Sequence, residues 1–509
     1  MRTTTIALAC GLATTASCGK SSTSQPDPHP GSAAATSLAS AGSAASAGEI
    51  KHPIDKAPLP PLGADPGGAT GKVVWATRYG GLGTEVPRGI ALAASGDTYL
   101  TGYVDGVADF GIAGAGGKHD SGGSTDAYLM KLGADGAIAW ATGFGGKRED
   151  TGRGVAIAGD SIVVVGNFAD TLTIGSTSRD SAGNDDYFIA AFDPTGASKW
   201  LVTGGGIDSD GLNTIAATPD GGFVVGGSFI GTSTIGGREL KSAGGSDAIL
   251  MKISATGATE WVRQYGGVYS DTFLHLAVDA RGNIFAQGSF RDVAAFGGAK
   301  LTAGGGADED IVLAKYDANG DHLWSKNFGG DDDDVPGGIA VDPAGHVTMA
   351  GAWAHTIKFS DAESHTALGD ADAFVARFDG DGVFEWAKVF GGERPDIGYA
   401  IAGDATGNTV TTGWFDGLAQ FGKGAIRTAG SKDAFVMKLS VTGDVLWSTT
   451  FGDHDHDEGR VVAMDGAGHA TVAGIFHFKL PIAPTPVESA HAPEDRIPKP
   501  DAFVVRFDR

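Results

Sequence analysis

Residues 499–509 read KPDAFVVRFDR, and the printed sequence stops there. Ala502, Phe503, Val504, Val505 and Phe507 are apolar around the single base Arg506, which is the pattern of a half-buried or buried strand. Six earlier stretches resemble it, and each runs through a Gly turn into a Trp-containing segment. Here no such segment follows. How that missing piece is supplied decides the fold.

The repeat is the dominant signal. Trp75, Trp140, Trp200, Trp261, Trp324, Trp386 and Trp447 share one local context, at spacings of 65, 60, 61, 63, 62 and 61 residues. Trp353 and Trp414 occupy a different place in the period. Asp126, Asp186, Asp247, Asp310, Asp372, Asp433 and Asp501 each open the strand that resembles the C-terminal one. One period can be read from DAFVMKLSVTGDVLWSTTFGDHDHDEGRVVAMDGAGHATVAGIF, residues 433–476. DAFVMKL is a strand, and SVTG is a hairpin turn with Gly443 placed for a left-handed conformation. DVLWSTTF is a second strand, followed by an acidic loop. RVVAMD is a third, GAG a turn and HATVAGIF a fourth. Four strands per period, seven times, with no helical periodicity of comparable strength, predict an all-β propeller. Such a fold also explains how 509 residues exceed the usual single-core limit, since each blade packs only on its neighbours.

The shared motif is D-A-F-V-x-K-L, a Gly turn, W-x-x-x-F-G-G, then I-A-V-D-x-x-G-N and G-x-F. Residues 310–353, DIVLAKYDANGDHLWSKNFGGDDDDVPGGIAVDPAGHVTMAGAW, carry it. In this the chain resembles the bacterial seven-bladed β-propeller repeat (SBBP) family, over residues 71–509. The resemblance implies four-stranded blades with the IAVD strand innermost and the Trp strand outermost. On that reading KVVWATRY, residues 72–79, is an outermost strand without partners, and Asp501–Asp508 ends a blade that lacks its outermost strand. The two ends then complete one blade and close the ring. Two departures stand out: GGG at 204–206 replaces aromatic-Gly-Gly, and LPIAPTPVESAHAPEDRIPKP at 480–500 enlarges the last loop.

Composition bounds the surroundings. The net charge is −24, and residues 1–70 hold four basic and four acidic groups, so the whole imbalance belongs to 71–509. A body that acidic repels phosphate backbones and argues against nucleic acid as a partner. The only cysteines are Cys10 and Cys18. The opening MRTTTIALACGLATTASC has an early Arg, an apolar run and small residues before Cys18, the layout of a secretory signal. TASC at 15–18 resembles a lipobox with Thr in place of Leu. The expectation is a lipoprotein-type signal peptide over 1–17 with Cys18 lipidated; ordinary cleavage nearby is the alternative. Residues 18–70 are rich in Ser, Ala, Pro and Gly and read as a flexible, disordered tether of about 40 Å root-mean-square span. The protein is expected to be secreted across the inner membrane and lipid-anchored in the cell envelope, at the outer membrane or cell surface. Its membrane contact is then only through the anchor. The body is expected to be monomeric.

Each loop into an innermost strand holds an acid at one register: Glu85, Asp150, Asp210, Asp271, Asp334, Asp396 and Asp457. These seven form a candidate acidic-face binding site. A ring of carboxylates could attract Ca²⁺ or a cationic ligand. Alternatively, each acid accepts backbone N–H groups and fixes its turn, or pairs with the recurring base of the DAFVMKL strand (Lys131, Lys252, Lys315, Arg377, Lys438, Arg506). DDDD at 331–334 and DHDHDE at 453–458 break the symmetry, the latter with His454 and His456. DANGD at 317–321 resembles the start of a calcium loop, yet His322 and Phe328 stand where Gly and Glu are needed, so it reads as a hairpin turn. No metalloprotease, nucleophile-elbow or phosphate-loop motif occurs, and no catalytic residue or required cofactor is assigned.

Three functions follow as expectations. The first is a non-catalytic binding or scaffold module for a protein or glycan. The second is a secreted propeller hydrolase or lyase with its site at the channel mouth. The third is a structural envelope spacer. A cluster of non-repeating polar side chains over the channel is the feature that discriminates among them.

Overall fold

The structure, a computed structural model, describes residues 62, 69–112, 117–305, 308–422, 424–482, 486–490 and 499–509. The expected signal peptide, Cys18 and nearly all of the tether lie outside the described residues, as does most of the enlarged 480–500 loop.

The protein is all-β, and no α-helix occurs among the described residues. Backbone pairing groups the strands into antiparallel sets of four. The sixth set shows the plan: Asp396–Gly403 pairs with Thr409–Gln420, which pairs with Ala425–Leu439, which pairs with Val445–Phe451. The seven first strands are Thr84–Leu92, Asp150–Ala158, Asp210–Ala217, Thr272–Val278, Val335–Val341, Asp396–Gly403 and Glu458–Met464. In the seventh set Glu458–Met464 pairs with Ala470–Phe476, and that strand with Asp501–Phe507. The fourth place is filled by Val73–Tyr79, in register from Val73 opposite Phe507 to Tyr79 opposite Ala502. Asp508 extends the clasp: its N–H donates to the Lys72 carbonyl at 2.8 Å, and its carboxylate accepts from the Lys72 N–H at 2.7 Å.

No set buries its faces alone. The first strands of consecutive sets touch one another, and Glu458–Met464 touches Thr84–Leu92, so the contacts form a cycle. The apolar cores lie between neighbours. Val163, Tyr187 and Ile189 of the second set meet Leu212, Phe223 and Ile249 of the third. Ala473, Ala502 and Val504 of the seventh meet Leu100, Tyr128 and Met130 of the first.

The Trp of each fourth strand reaches the next set. The Trp140 Nε1–H donates to the Pro194 carbonyl at 3.1 Å, and the Trp386 Nε1–H to the Val441 carbonyl at 3.0 Å. The indole lies on the hairpin Gly of that turn. Gly443, at φ +81°, would carry a Cβ only 3.0 Å from the Trp386 ring, so the turn needs Gly both for its backbone and for the ring above it. Trp447 lies in the same way on Gly71.

The GGG departure is compensated. Gly204 leaves the aromatic place empty, and Tyr187, opposite it in the ladder where most sets carry Ala, fills the space. Its hydroxyl accepts from the Gly236 N–H at 3.0 Å.

Deleting residues 501–509 removes the partner of Val73–Tyr79 together with buried Phe503, Val504, Val505 and Phe507. Each such side chain contributes about 1.5–3 kcal/mol on burial, so the sum is comparable with a typical total stability of roughly 5–15 kcal/mol. The truncated chain is expected to aggregate or to melt far lower in calorimetry and gel filtration; an unchanged melting temperature would contradict the clasp.

Candidate functional site

The seven acids at the first-strand entrances do not form an exposed ring. Glu85, Asp150, Asp210, Asp271, Asp334, Asp396 and Asp457 are all buried, none more than 2% exposed. Each lies instead beside the Asp that opens the third strand of the preceding set. Burial, reinforced by that neighbouring charge, raises the carboxyl pKa in every pair: Asp126 beside Asp150, Asp186 beside Asp210, Asp247 beside Asp271 and Asp310 beside Asp334. Asp372 beside Asp396, Asp433 beside Asp457 and Asp501 beside Glu85 complete the series. The last pair sits where the seventh set meets the first.

A Gly at the end of the outgoing fourth strand runs against each pair, and a second Gly follows it except at Gly452, which precedes Asp453. A Cβ on Gly452 would lie 2.6 Å from Asp433 Oδ1 and 2.9 Å from Asp457 Oδ2. On Gly80 it would lie 2.6 Å from Asp501 Oδ1 and 2.9 Å from Glu85 Oε2. The second Gly lies against backbone of the next set: a Cβ on Gly146 would strike the Thr171 carbonyl, and one on Gly392 the Leu418 carbonyl. Six of the acids also accept a loop N–H four residues upstream. Gly146 donates to Asp150 at 2.7 Å, Gly267 to Asp271 at 2.7 Å, Gly330 to Asp334 at 3.1 Å and Asp453 to Asp457 at 2.8 Å. The turn-fixing alternative accounts for these contacts.

Burial pushes Asp334 up to about 9, Glu85, Asp150, Asp396 and Asp457 to about 8, and Asp210 and Asp271 to about 7. Six of the partners, Asp126, Asp186, Asp247, Asp310, Asp372 and Asp433, are raised in the same direction, chiefly by burial, although His119 at 2.7 Å offsets part of the rise at Asp126.

The recurring bases do not pair with these acids. They lie at the other end of the strand, five of the six against the turn between the first two strands and Lys315 against the turn between the third and fourth strands of the next set. Lys131 meets Asp97 at 2.9 Å, Lys252 meets Asp220 at 2.5 Å, and Lys438 lies 3.6 Å from Asp404. Arg377 pairs with Asp342, Arg506 with Asp465 at 2.5 Å, and Lys315 donates to the Gly380 carbonyl at 2.7 Å. Asp317 of DANGD caps a hairpin, accepting from the N–H groups of Asn319 and Asp321. Asp333 of DDDD accepts from the Glu309 N–H, and His456 Nδ1 meets Asp455 at 2.8 Å. Among the described residues no three His, Cys, Asp or Glu side chains converge as a metal site would require.

One position gathers like-charged side chains on one side of the ring. Every first strand carries a β-bulge at the third residue after its acid. The bulged residues are Arg88, Arg153, Asn213, Leu274, Gly337, Tyr399 and Arg460. A bulge leaves its residue out of the ladder and re-aims the side chain. The three arginines belong to consecutive sets, because the seventh touches the first and the first the second. Tyr399 and Asn213 flank them, whereas the opposite arc holds Leu274 and Gly337.

The arginines come with partners of their own. The Arg88 guanidinium lies 5.7 Å from the Tyr103 ring centroid, and Arg153 Nε donates to Asn167 Oδ1 at 2.8 Å. Arg460 lies 5.8 Å from the Tyr399 ring centroid and 2.7 Å from Glu458. The places equivalent to Tyr103 and Asn167 hold Ser228, Ser289, Ala352 and Trp414 in the four sets without an arginine, and Ile475 in the set of Arg460. Beside Arg460, Lys432 lies 3.7 Å over the Trp414 ring and 4.0 Å from Glu458, and burial lowers its pKa. In an acidic body, this arc gathers Arg88, Arg153, Arg460 and Lys432, with the carboxylates of Glu458 and Asp185 among them.

No family model matches the chain. It is 24% identical over 362 residues to the regulatory protein FlaEY of Caulobacter vibrioides, across 65% of this chain and 36% of that protein. It is 22% identical over 241 residues to the uncharacterized WD repeat-containing protein L264 of Acanthamoeba polyphaga mimivirus, across 40% of this chain and 17% of that one. The chain thus spans well under half the length of either curated relative. Among solved structures it is similar to the hydrazine synthase of Kuenenia stuttgartiensis, at 10% identity and TM-score 0.42, over 79% of this chain and 96% of that one. It is also similar to a PL25 ulvan lyase, at 11% identity and TM-score 0.41, over 79% and 93%. Likenesses this distant assign no activity.

The raised carboxyls set a pH dependence. An unfolded Asp titrates near 3.8, so between about pH 4 and 8 the folded protein holds more protons than the unfolded chain. Their contribution to stability is therefore full below pH 4 and lost as pH rises. Asp220, lowered to about 2 although burial opposes its bonds to Lys252 and Thr218, acts oppositely and protects only above its unfolded value. Urea titrations should find greater stability near pH 5 than near pH 8. Asp334→Asn should reduce that slope by up to one proton, about 1.4 kcal/mol per pH unit. Equal slopes in both proteins would contradict a protonated junction.

Proposed function

We propose that residues 71–509 form a closed seven-bladed β-propeller of the SBBP type. In this reading it is a monomeric, lipid-anchored extracytoplasmic module that binds a protein or glycan without performing chemistry on it. The single observation that carries the binding role is the one-sided arc Tyr399–Arg460–Arg88–Arg153–Asn213, where the bulge position places three arginines on consecutive sets between two further polar side chains. The recurrent Asp, Gly-Gly, Trp and Lys/Arg positions are already engaged in contacts within or between sets. A pure spacer has no need for a one-sided polar arc. The extracytoplasmic placement rests on the signal layout before Cys18 and on the Ser/Ala/Pro/Gly-rich segment after it. Among the described residues no helix is long and apolar enough to cross a membrane.

In this reading the seven acids are structural and hold protons rather than Ca²⁺. Adding millimolar Ca²⁺ or a chelator should leave the melting temperature unchanged, and a chelator-reversible rise of several degrees would make the acids a metal site. Cys18→Ser should move the protein from the membrane fraction to the soluble fraction and abolish lipid labelling; a variant that still fractionates with membranes would refute the anchor. Retention of a protein or glycan by the wild-type chain, with no conversion of the ligand, is the outcome expected for a binding module.

A further inference from the structure

The geometry points to an oxyanion site on the arc of Arg88, Arg153 and Arg460 that takes the acidic residue of an oligosaccharide, a uronate or a sulfated sugar. This deepens the binding-module reading and rests on it. Three guanidiniums on adjacent strands supply planar donor groups that match carboxylate and sulfate oxygens better than ammonium groups do. Their planes are held in advance, by the Tyr103 and Tyr399 rings and by Asn167, so less ordering is lost on binding. Glu458 lies between Arg460 at 2.7 Å and Lys432 at 4.0 Å and offsets one of these two charges, which leaves Arg88 and Arg153 as the principal donors.

The surrounding charge selects the size of the anion. The body carries a formal −24, reduced by the junction acids that hold their protons at neutral pH, and the remaining negative charge repels a polyanion approaching over its surface. At physiological salt that repulsion is felt over about 8 Å, so a ligand with one or two anionic groups on a neutral body reaches the arc with little penalty. The flanking Asn213, Tyr399 and Ser228 are half-buried and uncharged, with hydroxyl and amide groups suited to sugar hydroxyls. An acidic peptide would instead call for cations spread along a groove, and the basic groups here are gathered on one arc.

Calorimetric titration of the purified protein with trigalacturonate, a sulfated galactose trimer and neutral galactotriose tests this. The acidic trimers should bind, more weakly as salt rises, and the neutral trimer should not. Arg88→Gln and Arg153→Gln should each weaken binding about tenfold or more, the scale of losing a charge-assisted hydrogen bond. Arg394→Gln, which removes an exposed guanidinium outside the arc, should leave it unchanged. Arg153→Lys keeps the charge without the fork, should bind between wild type and Arg153→Gln, and serves if the Gln variant fails to fold. Absence of binding by both acidic trimers at millimolar concentration overturns the proposal, as does equal weakening by Arg394→Gln. Equal binding of a C-terminal peptide carboxylate overturns the saccharide assignment. If a screen finds another ligand that the arc variants still hold, the arc assignment falls and the binding-module reading stands. Conversion of a bound trimer to products leaves the arc assignment standing and overturns the non-catalytic reading.

Discussion

The structure depends on what happens where one set of strands hands over to the next. The outgoing fourth strand ends in Gly-Gly, or in Gly452 and Asp453 before the seventh set, and the first Gly runs against two buried carboxyls, one from the set just completed and one from the set about to begin. No larger residue fits there. The second Gly is pressed against backbone of the next set, so the crossing has almost no freedom. The carboxyls tolerate burial because their protons stay on and because loop N–H groups satisfy one oxygen of six of the entrance acids. Ionised, each pair would place like charges side by side in a medium that screens poorly. The arrangement fixes how neighbouring sets meet, and the seven apolar cores lie between those neighbours.

Much of this was legible in the sequence. The period came from seven Trp, and the structure gives six of them a hairpin Gly of another set to lie on and gives Trp447 Gly71. The pairing of KVVWATRY with DAFVVRF followed from the resemblance to a four-strand unit and is present in register. The acid series and the Asp series were both visible, with Gly-Gly between them in nearly every period. What the sequence reading missed is that the two series pair with each other. It offered the recurring Lys or Arg as partner, but a base five residues further along an extended strand than the Asp at the junction lies about 17 Å away, at the opposite end. Rise per residue alone would have excluded it.

The arginine arc was not legible for a different reason. A period of two assigns each strand residue to one face or the other, and a bulge suspends that rule for one residue. Arg88 in TEVPRGIAL reads as an ordinary strand position until the ladder shows that it is skipped. A signal was nevertheless present. Aligned on their acids, the seven periods carry Arg, Arg, Asn, Leu, Gly, Tyr and Arg three residues on, a column whose three arginines fall on consecutive sets once the ring order is known.

The account stands on neutral carboxyls at the junctions, and the most direct measurement of them is the proton exchange that accompanies unfolding. Unfolding in unbuffered urea at pH 6 frees Glu85, Asp150, Asp334, Asp396 and Asp457 from sites where each holds its proton to about pH 8 or above. In the unfolded chain they ionise. The account predicts the release of several protons per chain, seen as acidification by a pH electrode, with fewer released by Asp334→Asn. Net uptake of protons, or no exchange at all, would show that the junction acids are ionised in the folded protein and would contradict it.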